Sequence, residues 1–557
     1  MFRLRHIPAS LPLLALLGTL VTIAVQGFAY GVSNNIFHIP LVLHDYALPQ
    51  FANDAYQQTL PRYVSPIFPA LSLVATRENL PFLFLAMHAL GRALTLWAML
   101  RVLQICGVTG LRLVFALALL VVMPGLYGIT ELGRQELYPG YFTHTALAQA
   151  VLLWGIVRLL ERRFVAACVL AAVAFDINAF VGVWLAGPLL ATWAFERPRL
   201  PLSTAAAGIA AGALIAAPVA AWIAIVEAHD HAPFDYVAFL RAYYPNHFFI
   251  DVAAPAAIVQ LAAATLAGAF ALRALSLRAA IPVGAGLLAV FAVGILVGAL
   301  ATSPLLLNLH LLRVDGPLIL LAACAAVAAA VRAAGQDAFG TACAAIIAAG
   351  CGTAAWPVVL LGTLLLNLPT LMRARLAAPF QPAWTWCIRS PTPILATALV
   401  FLAADATALA VLKRRIPPPA STDDRFYLGQ SPAIPDWRDA KLWARDHTPA
   451  NATFLVPTML PGFEMDALRP AWVDWKTGAA AMWAPSFHAI WSARMAAQDA
   501  LTTPGARIRF ACAQGLDYAV LDWRGPGSPE TPVAGVAPVF RNRAFAIYPT
   551  TACPPGP

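Results

Sequence analysis

The chain has 557 residues, of which 60% are hydrophobic and 11% are charged, and its formal net charge at pH 7 is +9. This amount of apolar surface exceeds what a single soluble core buries. The composition therefore excludes a soluble globular protein and indicates a protein that crosses a membrane many times.

Runs of about 20 apolar residues recur along the chain, and each is long enough to cross roughly 30 Å of hydrocarbon as a helix. We therefore predict a mostly α fold, a polytopic transmembrane helical bundle of about 11 to 13 spans with a small C-terminal α/β domain. The segments 164–176 and 338–350 are short for a full crossing, so a re-entrant or merged segment is an alternative for both. The predicted spans are 11–30, 80–104, 111–128, 143–160, 164–176, 178–195, 202–226, 254–273, 281–301, 316–333, 338–350, 353–371 and 391–412.

Basic residues predict the orientation of these spans, because short loops rich in Arg and Lys stay in the cytoplasm. RLLERR at 158–163, ERPR at 196–199 and MRAR at 372–375 all fall on one side, which is therefore cytoplasmic and carries the N terminus. The opposite side, with the C-terminal domain, is predicted to face the periplasm of a bacterial inner membrane. KRR at 413–415 departs from this pattern. Since topology explains the net charge, we expect the lipid bilayer as a partner and no nucleic acid.

The predicted domains are a transmembrane domain at 1–412, with a first periplasmic loop at 31–79, and a soluble periplasmic domain at 413–557. Hydrophobicity falls at the start of the second domain, whose length suffices for a small α/β unit. Strands separated by helices favour a mixed or parallel sheet. The pattern predicts helices at 436–449 and 485–501 and strands at 452–459, 470–476, 516–523 and 543–549.

Two of the eight cysteines, Cys512 and Cys553, lie in this C-terminal domain, which the topology places in an oxidising compartment. They are candidates for a disulfide that closes the last part of the domain. The other six lie in or beside apolar spans without metal-site spacing, and we interpret them as small buried apolar residues.

The first outer loop contains HDYALPQFANDAY at 44–56, which places two carboxylates, Asp45 and Asp54, close to the membrane surface. Prolines interrupt the apolar pattern of this loop at Pro40, Pro49 and Pro61, which predicts short helices that lie on the membrane surface. Such a loop can hold Asp54 at the mouth of a cavity between the spans. Alternatively, Asp54 caps the following helix by accepting hydrogen bonds from its first free amides.

A many-span chain with this first loop and a soluble outer domain at its C terminus resembles the GT-C superfamily, membrane glycosyltransferases that take a sugar from a polyprenyl-phosphate carrier. LHDYALPQFANDAY is similar to the P-x-x-x-x-D-x-Y stretch in the first loop of uncharacterised bacterial proteins related to that superfamily. The resemblance implies that Asp54 is the catalytic carboxylate, with Asp45 as a weaker second candidate. The adjacent acidic pair often found in the superfamily is absent, because Asp45 and Asp54 are nine residues apart.

Sugar transfer from a lipid phosphate requires a carboxylate that activates an acceptor hydroxyl and cations that stabilise the departing phosphate. Asp54 suits the first role. Guanidinium groups suit the second, because they bind phosphate oxygens through paired hydrogen bonds. The candidates on the predicted outer side are Arg62, Arg134, Arg241 and Arg313.

Four further polar residues on the outer side are candidates for substrate binding, each with a structural alternative. Glu131 lies in a loop that either borders the cavity or is solvated with internal ion pairs. Asp176 and Asn178 separate two apolar segments, where a carboxylate usually faces a partner or a wet cavity, and a simple polar turn is the alternative. His310 either lines the cavity or anchors a span at the interface.

A divalent cation is a candidate cofactor, because His229 and His231 flank Asp230. The pattern is weak, since no second set of ligands follows at the spacing of a structural metal site. A polar surface helix that covers the cavity mouth is the favoured interpretation of this segment.

The leading interpretation is a GT-C-like membrane glycosyltransferase that moves a sugar from a polyprenyl-phosphate carrier to a periplasmic acceptor, with the polyprenyl-phosphate-linked sugar as its expected partner. One alternative is a transporter or flippase of a lipid-linked substrate, which predicts ionisable residues near the bilayer midplane. The other is a non-catalytic membrane scaffold that displays the C-terminal domain.

Overall fold

A computed structural model of the protein describes residues 10–130, 132–197, 199–230, 232–378, 403–411, 434–522 and 536–551. The chain divides into two compact units. Unit 1 consists of Met1–Phe28, Leu85–Ala217 and Tyr236–Pro417, and unit 2 of Ala29–Phe84, Pro218–Asp235 and Pro418–Pro557. Unit 2 thus combines the first loop with the C-terminal residues, whereas the predicted division assigned that loop to the transmembrane domain.

Helices dominate the described residues, and six are long and apolar enough to cross a membrane. A seventh crossing is formed if Trp356–Leu366 and Thr370–Ala377, which meet at a bend of 109°, are one broken span. The six helices are Leu80–Ile105, Ala179–Glu196, Leu202–Ala228, Pro255–Ala274, Ala280–Leu300 and Pro304–Ala333. They confirm the predicted class of a multi-pass, mostly α membrane protein.

Five further apolar helices are shorter, with 10 to 17 residues each. They are Leu11–Gln26, Leu111–Val122, His144–Leu160, Phe164–Ile177 and Ala338–Thr353. Every predicted span up to 353–371 coincides with a helix. Most of the last one, 391–412, lies outside the described residues, although 403–411 is helical. The number of full crossings stays a prediction, because length and composition identify only the longer helices as able to cross a membrane.

Small residues allow the helices of unit 1 to approach closely. Helix Asp315–Ala333 is almost entirely buried, and its interior is rich in alanine. Where Ala179–Glu196 meets Ala280–Leu300, a Cβ atom on Gly187 would lie 2.4 Å from the backbone oxygen of Gly286. The backbones touch at this point, as is typical of helix pairs in membranes.

The first loop forms the short helices that its prolines predict. They are α-helices at Asn35–Leu43 and Ile67–Ser72 and 3-10 helices at Asp45–Ala47, Pro49–Phe51 and Gln57–Arg62. Proline stands at the first positions of Pro49–Phe51, where its missing N–H costs nothing. The loop is therefore a compact series of turns that belongs to unit 2.

The C-terminal part of unit 2 contains a four-stranded sheet. The strands are β1 Phe454–Leu455, β2 Tyr518–Asp522, β3 Phe540–Arg541 and β4 Phe545–Pro549. Their order in the sheet is β1-β2-β4-β3. β1 and β2 are parallel, and the other two pairs are antiparallel, so the sheet is mixed as predicted. The helices of this part are Ile434–His447, Phe463–Ala467, Phe487–Asp499 and Pro504–Ala513, with a 3-10 helix at Lys476–Met482.

Alternation along the strands gives the sheet two apolar faces. Val520 and Ile547 pack on one side with Trp437 of helix Ile434–His447. Leu521 and Tyr548 point to the other side with residues of helix Pro504–Ala513. The small α/β domain predicted from this alternation is confirmed.

One predicted strand is wrong. Residues 470–476 form only an isolated bridge between Ala471 and Phe454, and the chain then enters the 3-10 helix Lys476–Met482. Asp474 explains the change, because its carboxylate accepts a hydrogen bond from the backbone N–H of Thr477 at 2.8 Å and so starts a turn.

Candidate functional site

Asp54 lies between two 3-10 helices of the first loop, and its side chain is buried. Its Oδ1 accepts a hydrogen bond from the backbone N–H of Gln57 at 2.8 Å. The capping role that the sequence left open is therefore present. A cap at a helix end is normally solvated, so the burial of this carboxylate requires a further explanation.

A second buried carboxyl group, Glu464, provides that explanation. It belongs to helix Phe463–Ala467 and hydrogen-bonds with Asp54. Its Oε2 accepts a hydrogen bond from Gln57 Nε2 at 2.6 Å, and its Oε1 accepts one from the backbone N–H of Ala471 at 3.1 Å. Gln57 therefore contacts both carboxyl groups, through its backbone and its side chain. We call Asp54 and Glu464 the carboxyl pair.

The two groups of the carboxyl pair differ in how far their pKa values are raised. Burial raises the pKa of both groups, and that of Glu464 lies well above its usual range, with the nearby Asp54 charge as the second cause. The backbone N–H of Gln57 and the charge of Arg494 act in the opposite direction on the pKa of Asp54. Glu464 therefore holds a proton more strongly than Asp54, and Asp54 is the first of the two to ionise as the pH rises.

Glu464 borders a small cavity in unit 2, whose other walls are aromatic, acidic and basic. Arg494 lies over the ring of Trp472 at 4.3 Å and donates a hydrogen bond to its backbone oxygen at 2.9 Å. Burial raises the pKa of Asp474 to about 6. The lining residues include Tyr56, Glu464, Trp472, Asp474, Trp491 and Arg494. The lining of this cavity thus combines aromatic rings, carboxyl groups and one guanidinium group.

Two other residues predicted for the site, Asp45 and Arg62, have ion-pair partners within unit 2. Asp45 is buried and pairs with Arg77 at 2.5 Å. Arg62 pairs with Asp230, which also accepts a hydrogen bond from the backbone N–H of Ser486 at 2.9 Å. Both residues thus connect parts of unit 2.

The predicted metal pattern around Asp230 is not assembled in the described part of the chain. His231 lies outside the described residues, and His229 contacts the backbone oxygen of Ile225. No group of three or more His, Cys, Asp or Glu side chains within the described ranges is arranged to hold a metal ion.

In unit 1, Asn178 lies in a buried polar cluster. Its Nδ2 is 2.9 Å from His144 Nε2 and donates a hydrogen bond to Thr145 Oγ1 at 3.0 Å. Asp176 is half-buried, and its Oδ1 has no hydrogen-bond partner within the described residues. The structure therefore joins Asn178 to one end of helix His144–Leu160, and it gives Asp176 no such contact.

Two more predicted residues of unit 1, His310 and Arg313, come together in an aromatic setting. The buried ring of His310 packs on Phe180 and Phe248, with ring centres 4.8 and 4.5 Å apart. Arg313 Nη2 lies 2.5 Å from His247 Nδ1. These side chains form one nitrogen-rich, aromatic group.

Arg241 has a different environment, because it pairs with Asp251 at 2.8 Å and covers the ring of Phe249 at 4.1 Å. Arg134 is half-buried in a left-handed backbone conformation with φ of 55°. Glu131 and Cys553 lie outside the described residues. Cys512 is disulfide-bonded, and its predicted pairing with Cys553 stays a prediction.

Comparison with known proteins gives distant similarities only. Residues 435–497 match a family model described as a domain of unknown function, DUF6798. A search of curated proteins finds no match for the chain. Over 98% of its length and 98% of theirs, the chain is similar to two crystal structures of ArnT from Cupriavidus metallidurans. The apo structure gives 13% identity and a TM-score of 0.47, and the structure bound to undecaprenyl phosphate gives 12% and 0.44.

Since these similarities are distant, the roles of residues in this chain have to follow from their own contacts. The matched segment 435–497 contains Glu464, Asp474 and Arg494, which border the cavity of unit 2.

Sequence reasoning missed Glu464, Arg494 and, in unit 1, Arg92. No local pattern distinguishes the first two, because their partners lie about 400 residues earlier in the chain. Arg92 did carry a signal, since it is a charged residue inside the predicted span 80–104, and such residues are costly in a membrane unless they have a function.

Proposed function

We propose that this chain is a GT-C-type membrane glycosyltransferase, which moves a sugar from a polyprenyl-phosphate carrier to an acceptor on the periplasmic face of a bacterial inner membrane. Asp54 is the general base in this proposal. The observation that carries it is the carboxyl pair: a buried aspartate, hydrogen-bonded to a glutamic acid that borders an aromatic cavity.

The reaction needs a base that is ionised at neutral pH and yet basic enough to take a proton. In the transfer, the acceptor hydroxyl oxygen bonds to the anomeric carbon, the bond from that carbon to the phosphate oxygen breaks, and the hydroxyl proton moves to Asp54. A positioned base typically contributes about 10²–10⁴-fold. The raised pKa of Asp54 supports this role, because basicity increases with pKa.

The departing phosphate needs cations, and the four predicted arginines have different surroundings in the structure. Arg62 and Arg241 already have carboxylate partners in the described structure. Arg313 lies beside His247 and near the ring of Phe180. All four arginines stay candidates for the carrier phosphate.

The test measures donor turnover by the full-length protein in lipid nanodiscs. Polyprenyl phosphates that carry different single sugars are supplied with a bacterial envelope extract as acceptor source, and released polyprenyl phosphate is measured by mass spectrometry. Wild type should turn over at least one donor, and Asp54→Asn should lower the rate by roughly a hundredfold or more. Asp54→Ser should be equally slow.

These two variants separate catalysis from capping, because Asn and Ser both cap helices well. If capping is the only role of Asp54, both variants will keep the wild-type rate, and the proposal is wrong. Glu78→Gln is the matched control, since it also replaces a carboxylate of the first loop by an amide but at an exposed position. Failure of the wild type to turn over any donor would also contradict the proposal.

A further inference from the structure

One cavity of unit 1 lies where helices His144–Leu160 and Ala186–Glu196 end and helix Ala280–Leu300 begins. It contains about 520 Å³ of non-atom space, counting its open mouth. Its walls are partly apolar and partly polar, which suits a ligand that has both characters. The apolar wall residues include Leu159, Phe164, Leu200 and Pro282, and the polar ones are Arg162, Thr192, Glu196 and Arg199.

Two guanidinium groups of this wall approach the same carboxylate. Arg162 Nη2 lies 3.7 Å from Glu196 Oε1, and Arg199 Nη1 lies 3.7 Å from Glu196 Oε2. These distances are too long for hydrogen bonds, and neither guanidinium group donates one to any other described residue. The two arginines are thus close to each other, and together they keep one positive charge and their N–H groups for a further partner.

A buried hydroxyl group borders the same cavity. Thr192 lies one turn before Glu196 on helix Ala186–Glu196, so the two side chains are on one helix face. Thr192 is 6% exposed, and its Oγ1 has no hydrogen-bond partner within the described residues. A buried hydroxyl without a partner is costly, and an oxygen atom of a ligand in the cavity removes that cost.

The charge around the cavity favours an anion. The adjoining segments 158–163, 196–199 and 273–278 contain seven arginines and two glutamates. The start of the 21-residue helix Ala280–Leu300 adds partial positive charge. An anionic group is therefore attracted to this end of unit 1.

The apolar surroundings indicate that the anion belongs to a lipid. Phe195 and Ile281 are direct neighbours in sequence of wall residues, and both side chains are exposed. Exposed apolar residues on membrane helices face lipid tails. The arginine-rich side is predicted to face the cytoplasm, where basic pockets between helices bind the headgroups of anionic lipids.

This cavity is separate from the residues considered for the carrier phosphate in unit 1. Pro282 precedes Gly294 by twelve residues, which is about 18 Å along the helix at a rise of about 1.5 Å per residue. At Gly294 the helix touches Leu311, close in sequence to His310 and Arg313. The cavity and these two residues therefore lie towards opposite ends of helix Ala280–Leu300.

We propose that this cavity binds the headgroup of an anionic glycerophospholipid of the surrounding bilayer, of the phosphatidylglycerol type. Arg162 and Arg199 contact the phosphate, and Thr192 donates a hydrogen bond to one of its oxygens. Glu196 accepts a hydrogen bond from a headgroup hydroxyl, so its carboxylate does not repel the ligand. The site is independent of the glycosyltransferase proposal, which uses none of these residues.

The experiment follows thermal unfolding of the full chain in dodecyl maltoside micelles that contain increasing fractions of dioleoyl phosphatidylglycerol. The lipid should raise the unfolding temperature of the wild type, and the fraction that gives half the effect measures its affinity. Replacing both arginines, Arg162→Gln with Arg199→Gln, should raise that fraction roughly tenfold or more, because charge-assisted hydrogen bonds are lost. Thr192→Val, which loses one neutral hydrogen bond, should raise it about threefold to tenfold.

The matched control replaces two other exposed arginines of the same predicted side, Arg112→Gln with Arg273→Gln. It removes the same charge outside the cavity wall and should leave the half-effect fraction unchanged. Dioleoyl phosphatidylcholine, which has a phosphate but no net charge, and inorganic phosphate should both stabilise the wild type much less.

Four results would overturn the proposal. They are no stabilisation by phosphatidylglycerol, equal stabilisation by phosphatidylcholine, equal stabilisation by inorganic phosphate, and an equal loss of affinity in the control. If the variant without Arg162 and Arg199 does not fold, Thr192→Val decides, and an unchanged half-effect fraction in that variant contradicts the site.

Discussion

The two units bury polar groups in different ways. In unit 2, buried carboxyl groups have protein partners from distant parts of the chain, as Glu464 has in Gln57 and Asp54. In unit 1, the buried Arg92 has only neutral partners, and one of its nitrogens has none within the described residues. The difference indicates that unit 2 joins its buried carboxyl groups to one another and to nearby amides, whereas in unit 1 a buried cation is contacted by neutral groups among the described residues.

The largest effect on stability is expected from the aromatic core of unit 2. Trp491 is fully buried, donates a hydrogen bond to Asp474 O at 2.9 Å and lies against Gly478, where an added Cβ would be 2.3 Å from its ring. Trp491→Ala should destabilise the protein by about 3–5 kcal/mol. Thermal unfolding measures this loss, and Ile490→Ala, at an exposed neighbouring position, should change stability by less than about 0.5 kcal/mol.

If Trp491→Ala and Ile490→Ala unfold at the same temperature, the packing described for unit 2 is wrong.

A smaller effect is expected where two helices of unit 1 touch. In Gly187→Ala the new methyl group would lie 2.4 Å from the backbone oxygen of Gly286, so the helices must separate. The cost should be about 1–3 kcal/mol, as for other overpacked sites. Gly284→Ala is the control on the facing helix, since a Cβ there meets nothing within 4 Å. Equal unfolding temperatures for the two variants would contradict the close contact.

The carboxyl pair should make stability depend on pH. Burial raises the pKa of Asp54, Glu464 and Asp474, the last to about 6, whereas unfolded carboxyl groups titrate near pH 4. Between these values the native state binds more protons than the unfolded state. These groups therefore stabilise the protein fully below about pH 4. Their contribution is lost as the pH rises through their raised pKa values in the folded state.

Glu464→Gln should reduce this dependence, because the amide does not titrate. The unfolding temperature should fall less between pH 5 and pH 8 in Glu464→Gln than in wild type, and Glu78→Gln should behave as wild type. An identical fall in all three proteins would show that Glu464 does not titrate between the two states.

The smallest effect concerns the ion pair of Arg241 and Asp251, whose side chains are 43% and 61% exposed. Asp251→Asn should cost at most about 1 kcal/mol, because exposed ion pairs contribute little. The difference should shrink further at high salt. A loss of several kcal/mol, measured by thermal unfolding at low salt, would show that this pair has a larger structural role than its exposure indicates.

The sequence predicted the helices of unit 1 well, because an apolar run of membrane length is a local signal. It also predicted the short helices of the first loop from their prolines and most strands of the sheet from alternation. The error at 470–476 arose where Asp474 starts a turn inside an otherwise strand-like stretch.

The candidate site was only half predictable. Asp54 stands out in its loop, but Glu464 lies in an ordinary-looking helix, and only the folding of the chain brings it beside Asp54. The ion pairs of Asp45 with Arg77 and of Arg62 with Asp230 could not be predicted from the sequence either, because they too depend on tertiary contacts.

Turnover rates of Asp54→Asn and Glu464→Gln in nanodiscs at neutral pH show which carboxyl group of the pair is the base. If Asp54 is the ionised base and Glu464 is protonated, Asp54→Asn loses roughly a hundredfold or more. Glu464→Gln, which keeps a neutral group of similar shape, then loses less than about tenfold. Equal losses in the two variants, or a slower Glu464→Gln, would contradict the assignment of the base to Asp54.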